Sequence, residues 1–157
     1  MTVNLLGGSH TVDRVTVSAF LRPQEKSNKF GDTDTQGRFS ALRQFKILTC
    51  KASAANANCT NPDRGFTTVF TSPETSDTGP ASADVPRPVA PNLQFQRYDV
   101  RNTTATHVQL RVISNQCTGE PAYQGDPDAD PTNNSDCPSG SDEDRVVRAA
   151  ELEVFGR

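Results

Sequence analysis

Alternation with a period of two runs through the apolar segments of this chain. Over residues 12–21, Val15, Val17 and Ala19 alternate with Arg14, Thr16 and Ser18, and over 106–113, Val108, Leu110 and Val112 alternate with His107, Gln109 and Arg111. Successive side chains of a strand point to opposite faces, so each stretch predicts a strand with one buried face. Further strands are expected over residues 2–6, closed by Gly7-Gly8, over 43–50 around Phe45 and Ile47, and over 66–71 around Phe66, Val69 and Phe70. Leu93, Phe95 and Arg97 then alternate with Gln94 and Gln96, and a closing strand runs from Val146 to Gly156. Pro23 stops the second strand ahead of a polar loop over 24–37. Residues 72–91 hold Pro73, Pro80, Pro86, Pro88 and Pro91, which excludes regular structure and predicts an extended crossover. Seven to eight short strands with one long crossover predict a single all-β domain, a jelly-roll β-sandwich, over residues 1–157.

Composition changes this picture mainly through charge and cysteine. The net charge is -3, but the segment from Cys117 to Asp144 holds Glu120, Asp126, Asp128, Asp130, Asp136, Asp142, Glu143 and Asp144 and no Lys or Arg. Of 19 acids, 11 then remain against 16 bases, so the rest of the chain carries +5. Like charges held close repel unless a cation or a basic partner neutralises them. The four cysteines fall into two local pairs. Joining Cys50 to Cys59 and Cys117 to Cys137 staples adjacent strand ends, each bridge worth roughly 3 kcal/mol, and implies an oxidising compartment. The rival, a four-cysteine zinc site, lacks the short spacing that lets neighbouring thiolates reach one metal. No run of eighteen apolar residues exists, so no transmembrane segment is expected. Residues 1–8 lack the basic start and apolar stretch of a signal peptide.

Candidate chemistry concentrates in the acidic segment. Asp126, Asp128 and Asp130 stand at alternate positions, from which a curled loop can direct three carboxylates at one calcium ion; Asp136 and nearby carbonyls are further oxygen donors. Pro131 and Cys137 stand where an EF-hand needs Gly and Glu. The other reading of the loop is a solvated acidic segment anchored only by its disulfide. Carbohydrate recognition needs an exposed aromatic plate with amides and charges around it. The chain has no Trp, and most Phe residues alternate into strand interiors, which leaves Tyr123, Phe30 and Tyr98 as loop aromatics. Tyr123 beside Gln124 is the stacking candidate, its alternative being a ring packed over the Cys117 to Cys137 bridge. Arg43 is assigned to the same ligand.

Catalysis finds little support. His10 and His107 are the only histidines, with no zinc-peptidase motif around them, and carboxylates among Gly, Pro, Asn and Ser lack the burial a catalytic acid needs. Arg38, Arg43, Lys46, Lys51 and Arg64 show no aromatic interleaving, so no nucleic acid partner is expected. The sequons at Asn58, Asn102 and Asn133 are no more than a chain rich in Asn and Thr produces by chance.

Residues 106–112 (Thr-His-Val-Gln-Leu-Arg-Val), a long loop, and residues 149–156 (Ala-Ala-Glu-Leu-Glu-Val-Phe-Gly) together resemble the closing half of the discoidin family, also called the coagulation factor 5/8 type C or galactose-binding-like domain. More narrowly, residues 12–19, 38–43, 86–91 and 114–119 resemble the accessory domain of secreted bacterial metallopeptidases of the fungalysin type. The resemblance implies an eight-stranded sandwich that binds carbohydrate, lipid or protein through loops at one end, often with a structural calcium. Its closing-strand glutamate corresponds to Glu151. The chain departs from the family at its start, where the family's first strand and an Asp-containing loop are missing.

The function expected from these readings is a non-catalytic, secreted, extracellular binding module that attaches to a carbohydrate or cell-surface ligand and is appended to a larger secreted enzyme, a metallopeptidase. The alternative is a structural domain that stabilises or positions a neighbouring catalytic domain of the same chain.

Overall fold

The computed structural model of the chain describes residues 1–19, 42–55, 57–73, 95–115, 147 and 149–157. Seven strands are formed there: β1 (Thr2–Asn4), β2 (His10–Ala19), β3 (Leu42–Cys50), β4 (Thr67–Thr71), β5 (Gln96–Ala105), β6 (His107–Asn115) and β7 (Ala149–Gly156). They make one sheet in the order β1-β6-β3-β4 and a second in the order β5-β2-β7, all pairings antiparallel. Among the described residues there is no helix, and none long and apolar enough to cross a membrane.

The alternation that marks the strands also builds the core. Val12, Val15 and Val17 of β2, Val100 of β5 and Leu152 of β7 meet Leu42, Phe45 and Ile47 of β3 and Val108 and Leu110 of β6 in one buried cluster between the sheets. At its centre Tyr98 of β5 reaches across the layers. Its ring stands edge-on to Phe45 with centroids 5.1 Å apart, and 5.3 Å from Phe70 of β4. Aromatic pairs of this geometry add about 0.5–1.5 kcal/mol beyond area burial.

Tyr98 corrects one expectation. The sequence pattern points Phe95 inward and leaves Tyr98 as a loop aromatic, yet Phe95 is 45 % exposed and Tyr98 9 %. β5 begins at Gln96 and turns Tyr98 and Val100 inward, and a shift of one residue in a strand exchanges its faces. The closing strand begins at Ala149 rather than Val146. Val112 pairs with Phe45 and keeps the expected parity, but it stands near the end of β6 and is 40 % exposed.

One disulfide is formed in the described residues, between Cys50 and Cys59, which removes the four-cysteine zinc reading. It folds the segment after β3 back over the outer face of the four-stranded sheet. There the carbonyl of Pro62 accepts from Arg111 and, at 3.5 Å, from Gln109 Nε2, while Asp63 lies 3.6 Å from Arg111. Leu48 and Gln109, outward-facing positions of β3 and β6, are buried beneath this cover. The polar face expected for β6 is therefore closed at Gln109. Cys117 and Cys137 lie outside the described residues.

Candidate functional site

The two ends of the sandwich differ. One gathers the turn from β1 to β2, the junction of β5 with β6 at Thr106, Cys50 and the close of β7; the other gathers Ala19, Leu42, Gln96, Asn115 and Ala149. The first end carries an open depression of about 260 Å³, lined by Leu5, Leu6, His10, Thr11 and Val12 and by residues 154–157.

Local chemistry fixes its walls. Gly7 and Gly8 both have positive φ, 90° and 117°, which lets the chain reverse between β1 and β2 where a side chain would be strained. The N–H of Leu5 is pinned to the carbonyl of Thr106 at 2.8 Å, and Leu6 projects outward with 85 % of its surface exposed. His10 opens β2 and places its Nε2 3.0 Å from the carbonyl of Leu6, which ties the imidazole to the turn. Opposite, Thr11 and Arg157 exchange two backbone hydrogen bonds, 2.7 and 2.9 Å long, that hold the end of β7 against β2. Gly156 lies in this crossing, and a Cβ there would stand 1.6 Å from the carbonyl oxygen of Thr11.

Phe155 is the aromatic of the site. Val15 pairs with Val154 facing inward, so Arg14 and its partner Phe155 face outward, with Asp99 of β5 in the same row. The guanidinium carbon of Arg14 stands 4.6 Å from the Phe155 ring centroid, within the range of a cation–π contact. In the next row Thr16 donates to Glu153 Oε2 at 2.6 Å, and on β5 Arg97 pairs with Asp99 at 3.4 Å. The result is a partly exposed ring with the Arg14 guanidinium over it, at the wall of a depression that His10, Thr11 and Arg157 also line. Enclosed sites for drug-sized ligands span about 300–1,000 Å³, so this depression suits a single ring or the end of a chain. Residues 152–155 alternate Leu, Glu, Val, Phe, and that parity alone places Phe155 on the polar face, against the expectation that phenylalanines alternate into strand interiors.

The residues chosen from the sequence fall elsewhere. Arg43 is half-buried at the start of β3, in a register shift between Leu42 and Gln44, and Glu151 is exposed on β7 opposite Ser18; both lie toward the second end. Asn115 and Val147, which flank residues 116–146, belong to that end too. Tyr123, Gln124, Asp126, Asp128, Asp130 and Asp136 lie outside the described residues. Among the described residues no three His, Cys, Asp or Glu side chains come together to hold a metal, so Glu151 has no described co-ligands.

No family model, curated protein or solved structure matches the chain.

Proposed function

We propose that this chain is a non-catalytic extracellular module that attaches to carbohydrate through the depression around Phe155. The observation that carries the reading is a partly exposed aromatic ring, Phe155, on the wall of an open hollow that His10 and Arg157 also line, with the Arg14 guanidinium over the ring; an aromatic plate with polar groups around it suits a sugar. The Cys50 to Cys59 bridge supports an oxidising, secreted location.

The strand order supports the jelly-roll reading and, with it, the discoidin resemblance. Rolling up a hairpin of four strand pairs gives sheets in the orders 2-7-4-5 and 1-8-3-6. If β1 takes the place of the second strand, β1-β6-β3-β4 reproduces the first sheet and β7-β2-β5 the last three places of the other. Calcium, held by the acidic segment with Glu151, and attachment to a secreted metallopeptidase belong to the same proposal.

A glycan array probed with the isolated chain, with and without EDTA and beside Phe155→Ala, tests it. Binding to a sugar class that Phe155→Ala abolishes is the expected result, and loss with EDTA would add the metal to the reading. Silence across all sugars would overturn the carbohydrate reading in favour of a structural role toward a neighbouring domain.

A further inference from the structure

We infer that the depression beside Phe155 takes an acidic sugar, a single pyranose ring whose carboxylate meets the guanidinium of Arg157. The inference rests on the carbohydrate reading of the same site and names the class of sugar it would select.

The polar side chains that line the hollow are those of His10, Thr11 and Arg157. A guanidinium donates hydrogen bonds and accepts none. His10 Nε2 stands 3.0 Å from the carbonyl of Leu6, and a carbonyl only accepts, so this nitrogen carries a proton. Beside the hollow, the Arg14 guanidinium adds a further positive charge over the Phe155 ring. The carboxylates of the neighbouring rows are engaged elsewhere: Glu153 accepts from Thr16 at 2.6 Å, and Asp99 pairs with Arg97 at 3.4 Å. Asp13 stands half-buried in the bulge between Val12 and Arg14 and is not one of the lining residues.

This balance decides between kinds of sugar. Every hydroxyl of a neutral ring has a proton to donate as well as lone pairs to offer, whereas a carboxylate only accepts. A wall whose charged groups are donors therefore matches a carboxylate, which a planar guanidinium can hold through two parallel bonds. An open volume of about 260 Å³ leaves room for one such ring at the end of a chain.

The test titrates the labelled chain with methyl glucuronide and methyl glucoside, and with the corresponding galacturonide and galactoside. The members of each pair differ only in a carboxylate against a hydroxymethyl group. At least one uronide should bind saturably, shift His10, Phe155 and Arg157, and bind about tenfold tighter than its neutral counterpart, a preference that high salt should erode. Arg157→Gln should reduce the preference to about twofold or less; its main-chain bonds to Thr11 do not depend on the side chain. Lys46→Gln, which removes the same charge from β3 in the other sheet, should keep it. Equal affinity within both pairs, or uronide shifts centred away from the hollow, would overturn the acidic assignment and leave the carbohydrate reading standing. So would neutral glycans binding on an array while neither uronide responds. Silence from the array and from all the glycosides would overturn both.

Discussion

Replacing Gly156 by alanine should be among the most damaging single changes in the chain, although its site is at the surface. The added Cβ would stand 1.6 Å from the Thr11 carbonyl oxygen, 2.7 Å from its carbon and 3.1 Å from Val12 Cα, all main-chain atoms that cannot rotate away. Ordinary contact begins at 3.4 Å, so β2 and β7 must part by about 1.8 Å along the shortest contact. The two hydrogen bonds between Thr11 and Arg157, at 2.7 and 2.9 Å, would then stretch well beyond bonding distance. Losing both costs about 2 kcal/mol, and residual overpacking adds about 1–2 kcal/mol. A total near 3–4 kcal/mol corresponds to a fall of roughly 10 °C in melting temperature for a chain of this size. Thermal unfolding followed by circular dichroism measures the loss, and hydrogen exchange at Thr11 and Arg157 locates it. A Gly156→Ala variant melting within about 2 °C of the parent, with both amides still protected, would refute the close crossing of β2 and β7.

Three other changes probe separate parts of the account. Phe45→Ala removes the ring that Tyr98 and Phe70 pack against and should cost about 3–5 kcal/mol in denaturant unfolding, whereas Phe95→Ala at an exposed position should cost under about 1 kcal/mol. Cys50→Ala with Cys59→Ala opens a bridge between residues nine apart and should cost about 2.6 kcal/mol in the chain-entropy model; reductant should lower the stability of the parent but not of the double variant. Arg14→Ala leaves the Phe155 ring without its cation and should weaken glycan binding several-fold while shifting the melting temperature by only a few degrees, which binding isotherms and melts on the same samples separate.

The strands were legible because one-sided burial writes itself into the sequence as alternation, and Val15, Val17, Val108 and Leu110 lie on the face that their parity assigns, whereas Val12 is buried against parity because a bulge between Val12 and Arg14 resets the alternation. Parity fails where a strand's first residue is misplaced, and at Phe95 and Tyr98 a single position exchanged core for surface. Gln109 shows a second limit. Its burial comes from a segment between β3 and β4 clamped over the sheet by Cys50 and Cys59, and no local pattern around residue 109 records that cover. The depression was harder still to read, since it joins Leu5, Leu6 and His10–Val12 to residues 154–157, and only the long-range pairing of β2 with β7 brings these segments together. Phe155 was within reach of the alternation of its own strand.

Titrating the isotopically labelled chain with a panel of soluble mono- and disaccharides, while following backbone amides by nuclear magnetic resonance, tests the carbohydrate reading most directly. Saturable shifts for at least one sugar, clustered at Leu6, His10, Phe155 and Arg157, are predicted. Shifts confined to the opposite end around Arg43 and Glu151, or none across the panel, would contradict it.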